Sequence, residues 1–331
     1  MQLDLCDPDF YDDPWDAYRW LREQDTLYRD ETNNLWVASR YDDVQQVFAS
    51  ASRRLGYDLW ALVQSGPADQ LNATERTQPA MLAAGVATWR VWRRRGGPAP
   101  DVVAGHSLGE FTALAVAGAI DADDAIDLVR FRGQVMQDAV PLGQGGMAAI
   151  IGLDDAAVEA ACAEAAQGEV VEAVNYNAPS QVVIAGASAA VERASAAAKA
   201  RGARRALPLP VSAPFHSSLM RPAAERLREK LANLALQRPS IRFVSSVDAR
   251  DYADPEAIRD LLYRQLASPV RWTTTIRALA DGGVTRFVEC GPGKVLTGVN
   301  RRIDKRPGLE CLAIDDEGSL EAALAAVGVA P

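Results

Sequence analysis

The 331 residues are 48% hydrophobic and 24% charged, enough apolar content for a substantial core in two modest domains or one large α/β unit with an insertion. The 35 basic and 44 acidic residues leave a formal charge of -9, which argues against a general nucleic-acid binder but permits a local basic patch. Four widely spaced cysteines (Cys6, Cys162, Cys290, Cys311) form neither a zinc motif nor a disulfide framework, and two histidines, His106 and His216, exclude an all-histidine metal site. Met1-Gln2-Leu3-Asp4 runs into acid instead of a basic and then apolar leader, and charge or glycine interrupts every apolar stretch well short of about 18 residues. The expectation is a cytoplasmic protein with no membrane span.

Residues 1–50 differ in texture from the rest. Asp7 to Asp16 is acidic and aromatic, and Pro14 suits the first turn of a helix running to about Glu23. Leu35-Trp36-Val37-Ala38 is a strand candidate, and Asp42 suits the cap of a helix through Phe48. From residue 50 the chain is richer in alanine. Residues 77–96 read as a helix with Pro79 near its start and Gly96-Gly97 at its end. Asp101 to Gly105 is a short strand entering a tight turn, Leu108 to Ala117 is helical, and Asp121 caps a helix to about Ala139. That order points to a parallel sheet. Between 143 and 210, strands at Gly146–Ile151, Val170–Asn175, Gln181–Ala185 and Arg205–Pro210 alternate with two alanine-rich helices, whose runs such as Ala196-Ala197-Ala198 read as helix filler. The β-α-β-β-α-β sequence predicts a small ferredoxin-like unit. Helices and short strands then return, notably at Ile241–Val244 and Thr285–Glu289.

The sharpest local signal is Gly105-His106-Ser107-Leu108-Gly109, a G-x-S-x-G pattern between a predicted strand and a predicted helix. Flanking glycines permit a strained turn that presents the Ser107 hydroxyl, and the following helix start supplies free N–H groups and a positive dipole end. The Leu108 N–H is the natural oxyanion donor. His106 is too close in sequence to turn back onto Ser107. His216, in a loop just before a helix, is therefore the preferred base. No carboxylate stands out as a third member, and a backbone or amide carbonyl would orient the imidazole equally well.

Several separated motifs make residues 50–331 resemble the malonyl-CoA:acyl carrier protein transacylases and the related acyltransferase domains of polyketide synthases. They are Gly56-Tyr57-Asp58-Leu59-Trp60, Thr77-Gln78-Pro79-Ala80, Gly105 to Glu110, Arg132-Gly133, Asn175-Tyr176-Asn177, Gln181 to Gly186, the segment around His216, and Gly291 to Leu296. The resemblance implies an acylated Ser107 with His216 as its base and Gln265 giving the carbonyl that orients the histidine. It places Arg132 on the free malonyl carboxylate, a planar bidentate match, with Gln78 and Asn175 lining the acyl pocket. Phe215 resembles the malonyl-selecting pattern of the polyketide enzymes. The implied reaction is ping-pong transfer of malonyl from coenzyme A to the phosphopantetheine thiol of acyl carrier protein in fatty acid biosynthesis, with malonyl-CoA as substrate and no permanently bound cofactor. Neither nucleic acid nor a membrane is an expected partner. Arg93-Arg94-Arg95 and Arg204-Arg205 are candidate contacts for an acidic carrier.

The family opens with a hydrophobic strand and a Gly-Gln-Gly-Ser-Gln loop, and this chain has neither. Gly143-Gln144-Gly145 is no substitute, because it falls at the start of the predicted small unit. Residues 1–50 instead resemble the opening of bacterial cytochrome P450 enzymes, through Asp7-Pro8, Pro14, Ala17-Tyr18, Leu21-Arg22, Leu35-Trp36-Val37 and Arg40 to Val44, yet no haem-ligating cysteine loop follows. The expected architecture is α/β: a large α/β-hydrolase-like unit with a parallel sheet (51–140 and 211–331), an inserted ferredoxin-like unit (141–210), and an atypical segment (1–50). Two other functions stay open from sequence, a thioester hydrolase and an inactive carrier-binding protein.

Overall fold

A computed structural model describes residues 27–30, 35–38, 42–211 and 213–329, so the helix expected at Pro14–Glu23 lies outside the described residues. β1 (Leu27–Asp30) and β2 (Leu35–Ala38) form an antiparallel hairpin that pairs with no other described strand. α1 (Asp42–Leu55) continues seven residues past the Phe48 end expected for it. It runs through residue 50 unbroken, because Val47, Phe48 and Ala51 share one buried stripe and join the main core.

α2 (Leu59–Ser65) and α3 (Ala68–Leu71) lead to the long α4 (Thr74–Arg94). α4 starts three residues earlier than expected, so Pro79 lies inside it, near enough to the first turn to forfeit a single backbone bond. Its end follows the sequence signal. Gly96 adopts φ +85°, and the Gly97 N–H returns to the Trp92 carbonyl at 2.9 Å. β3 (Val102–Ala104) enters the serine turn, followed by α5 (Gly109–Val116) and α6 (Ala122–Asp138). The Asp121 carboxylate caps α6 by accepting from the N–H of Asp123 and Asp124. α4 and α6 meet at Gly133, where a Cβ would stand 2.6 Å from the Thr74 carbonyl oxygen. That close approach sets Gln78 beside Arg132.

β4 (Gly145–Ile151), α7 (Asp155–Ala166), β5 (Val171–Ala178), β6 (Gln181–Ala187), α8 (Ser188–Ala200) and β7 (Arg205–Pro208) follow in the expected order. Their sheet runs β5-β6-β4-β7 with every neighbouring pair antiparallel, over its own core of Ile150, Val158, Val182 and Ile184. The alanines of α8 are more than filler. Ala190, Ala194 and Ala198 recur every fourth residue, all are buried, and their small side chains face that core.

The chain returns through a 3₁₀ turn (Ser218–Met220), α9 (Arg221–Ala232), β8 (Arg242–Val244), α10 (Pro255–Gln265), α11 (Trp272–Asp281), β9 (Arg286–Cys290), α12 (Val295–Ile303), β10 (Glu310–Ile314) and α13 (Glu317–Ala326). β3 pairs in parallel with β8, and β9 in parallel with β10. Ala104 of β3 and Phe287 of β9 pack on one cluster around Val270, Trp272 and Val299, yet no ladder joins the two pairs among the described residues. Leu35–Ala38 does not fill that place. The architecture is mixed α/β, with parallel strands near the serine turn and an antiparallel sheet formed by β4 to β7. No described helix is long and apolar enough to cross a membrane.

Candidate active site

β3 delivers the chain to Ser107 in the left-handed region, φ 53°, a conformation that a non-glycine residue adopts at a cost. The two glycines of the motif do different work. A Cβ on Gly105 would fall 1.9 Å from the Gly109 carbonyl carbon, so only glycine lets the turn close on the start of α5. A Cβ on Gly109 would meet nothing within 4 Å. The expectation that both glycines serve the strained turn therefore holds on steric grounds at Gly105 alone.

The loop after β7 brings the second partner. His216 also sits at positive φ, 64°, and is buried. Its Nε2 lies 2.7 Å from Ser107 Oγ, and its Nδ1 lies 3.1 Å from the backbone carbonyl of Gln265. A carbonyl can only accept, so Nδ1 carries the proton and Nε2 presents its lone pair to the serine. Burial, and then the Arg132 charge, push the imidazole down to about 3, which keeps it neutral with Nε2 unprotonated. Glu172 of β5 ties this loop to the small sheet, accepting from the N–H and the hydroxyl of Ser218 at 2.7 and 2.8 Å. No sequence motif marked Glu172, because its role depends on a contact between segments 46 residues apart.

Arg132 is the largest of the fully buried side chains among the described residues. It donates to Gln78 Oε1 at 2.8 Å, to Gln265 Oε1 at 3.0 Å and to Ser107 Oγ at 3.1 Å, and its guanidinium lies over the Phe111 ring at 5.2 Å. All three acceptors are neutral, and Nε has no partner among the described residues. Burial pulls its pKa to about 10, leaving it charged at neutral pH. Gln265 is fully buried and completes the cluster, donating from Nε2 to the Ser107 carbonyl oxygen at 3.0 Å and to Glu110. The Leu108 N–H donates to no group among the described residues and opens α5.

The remaining expectations divide. His106 turns away from Ser107, its Nε2 lying 2.8 Å from Asn177 Oδ1 and its ring edge-on to Trp272. Asn175 is buried, but among the described residues no hydrogen bond links its side chain to the serine cluster, and its Oδ1 has no partner there. Gln144 does stand at the entry to β4, its carbonyl accepting from the Ser188 N–H. Of the basic runs, Arg94 pairs with Asp43, Arg95 faces Glu317 and Glu321, and Arg93 donates to the Gly97 carbonyl. Two surface cavities of about 360 and 630 Å³ include no residue of the serine cluster. Among the described residues, no group of three His, Cys, Asp or Glu side chains is placed to hold a metal.

The comparisons with known proteins agree with one another. The model of the acyl transferase domain family matches residues 33–311. The malonyl CoA-acyl carrier protein transacylase of Salmonella typhimurium is 54% identical over 288 residues, covering 87% of this chain and 93% of its own. That of Bacillus subtilis is 41% identical over 281 residues, covering 85% and 88%. Among solved structures, an acyl carrier protein S-malonyltransferase from Vibrio cholerae superposes with a TM-score of 0.83 at 56% identity, over 86% of this chain and 92% of that one. A malonyl-transacylase solved in complex with a type II polyketide acyl carrier protein gives 0.84 at 53% identity, with the same coverage. With the family match spanning most of its length, and with relatives of this identity, the chain belongs to the acyl transferase domain family, among proteins similar to the malonyl-CoA:acyl carrier protein transacylases.

Proposed function

We propose that Ser107 is the acylated nucleophile of a malonyl-CoA:acyl carrier protein transacylase, with His216 as its base. The function is transfer of malonyl from coenzyme A to the carrier's phosphopantetheine thiol, a step of fatty acid biosynthesis. One observation carries the residue assignment: the Ser107 hydroxyl lies 2.7 Å from a neutral imidazole nitrogen and 3.1 Å from a buried guanidinium.

In the first half-reaction, Nε2 of His216 takes the hydroxyl proton as Ser107 Oγ bonds to the thioester carbonyl carbon. The Leu108 N–H faces the oxyanion that forms. Collapse breaks the carbon–sulfur bond, and the imidazolium returns its proton to the departing thiolate. The second half-reaction reverses the roles, with the carrier thiol attacking the ester. Arg132 receives the free malonyl carboxylate, and Gln78 and Asn175 line the acyl group. That pairing also acts on the base, since a carboxylate on Arg132 offsets the charge that lowers His216. Gln265 orients the imidazole through its carbonyl.

A single oxyanion donor is identified. The chain lacks the family's Gly-Gln-Gly-Ser-Gln loop, and losing one donor costs about 3 kcal/mol, or roughly a hundredfold in rate. The β-α-β-β-α-β order with antiparallel neighbours supports a ferredoxin-like unit at 141–210, and the strand–serine–helix turn supports an α/β-hydrolase-like unit at 51–140 and 211–331. The P450-like opening read over residues 1–50 overlaps the family match from residue 33 and α1, so it is proposed only ahead of residue 33; the proposed location is cytoplasmic.

Brief exposure to malonyl-CoA followed by intact-protein mass spectrometry tests the assignment. The parent should gain one malonyl group and Ser107→Ala none, and adding acyl carrier protein should discharge the adduct. A malonylated Ser107→Ala protein would place the nucleophile elsewhere.

A further inference from the structure

Glu110 lies one helical turn after the nucleophile and is fully buried. A carboxylate there loses its hydration, and its two oxygens are matched in different ways. Oε1 accepts from the Ser246 N–H at 2.6 Å, the Ser245 hydroxyl at 2.8 Å and the Ser246 hydroxyl at 3.2 Å. Among the described residues, Oε2 accepts from one donor, Nε2 of Gln265. The serine bonds anchor the carboxylate to the segment after β8, and the fourth bond faces the active site.

Gln265 relays that contact. Its Nε2 donates to Glu110 and to the Ser107 carbonyl, and its Oε1 accepts from Arg132 Nη2 at 3.0 Å. Turned over, the amide would set its oxygen against a carboxylate and a carbonyl and its NH2 against a guanidinium. The negative charge of Glu110 therefore fixes the amide sense that leaves an acceptor facing Arg132. The same residue's backbone carbonyl holds His216. Arg132 has no carboxylate in contact among the described residues, which leaves its charge available to a ligand, and Glu110 stands one amide away.

We propose that Glu110 is a positioning residue which, through the Gln265 amide, holds Arg132 in its carboxylate-receiving pose and thereby sets the preference for malonyl over uncharged acyl groups. Burial raises the Glu110 carboxyl and lowers Arg132; the hydrogen bonds from Ser246, Ser245 and Gln265 oppose the first shift, and the Glu110 charge opposes the second. A glutamine at 110 keeps the shape but lets both amides rotate. The proposal rests on the acyl-serine reading above.

The test compares acylation by malonyl-CoA and acetyl-CoA in the full chain. Glu110→Gln should lower kcat/KM for malonyl-CoA about tenfold, chiefly through KM, and change acetyl-CoA acylation less than about threefold. Glu110→Asp, which keeps the charge but retracts it, should lose a smaller part of the malonyl preference. Ser245→Ala removes one anchor and no charge, so it should lower Tm and leave the preference intact. Equal losses with both thioesters in Glu110→Gln would overturn the proposal. If that variant does not fold, an unchanged preference in Glu110→Asp would do so. No malonyl adduct on the parent would instead refute the acyl-serine reading, and this inference with it.

Discussion

Burial sets the state of every ionisable group around Ser107. His216 is held neutral because the site withholds water and places the Arg132 charge nearby, and His106 is lowered mainly by burial. The sign of the consequence follows. A histidine depressed in the folded state favours folding above its ordinary pKa of 6.5 and withdraws that contribution as pH falls towards about 3. With only two histidines in the chain, nitrogen NMR reads both directly. Neither ring should titrate near pH 6.5, and His216 should keep its proton on Nδ1; a midpoint at 6.5 for His216 would contradict its desolvation. Arg132→Ala removes the charge proposed to receive the malonyl carboxylate, so malonyl transfer should fall roughly a hundredfold and acetyl transfer far less. Kinetics with both thioesters check this, and equal losses would refute the carboxylate role.

At the scale of elements, the turn between β3 and α5 and the crossing of α4 and α6 hold the site together. Gly105→Ala should cost about 1–3 kcal/mol and shift Ser107, because the added methyl meets backbone at 1.9 Å. Gly109→Ala has open space and lies in a helix, so it should be neutral or stabilise by about 0.5–1 kcal/mol. Thermal unfolding with adduct formation on both variants separates the two. These elements were legible to different degrees. Gly105 to Leu108 could be read directly, since strand, turn and helix are neighbours in sequence. The Asp121 cap and the Gly96 stop are similarly local. Pro79 suggests a first-turn position for the start of α4, whereas the α4–α6 packing supports three more residues ahead of it. Nothing in the local pattern around Arg132 sets it apart from other arginines on amphipathic helices, and its proposed role comes from the family pattern alone.

Over the whole molecule, the parallel strands form two separate pairs. β3 and β9 each keep one unpaired edge among the described residues, and their side chains are mostly half-buried, whereas β6 is paired on both sides. Backbone groups on an open edge exchange with solvent through small openings. Hydrogen exchange in peptides covering 102–104 and 286–290 should therefore run at least about tenfold faster than in 181–187. Equal protection would mean that another segment occupies the gap.

The sequence by itself determined the serine turn, the Asp121 cap, the Gly96 stop, the order of elements between β4 and β7 and, through separated motifs, the family. Each is either a local property of a few neighbouring residues or a pattern of identities along the chain. Only the tertiary structure decided that Glu110, Arg132, His216 and Gln265 form one hydrogen-bonded cluster, that α1 joins the main core, and that Leu35–Ala38 leaves the parallel pairs unjoined. Those contacts link residues as many as 155 positions apart. Hydrogen bonding and burial act through space, so no local pattern in the chain records them.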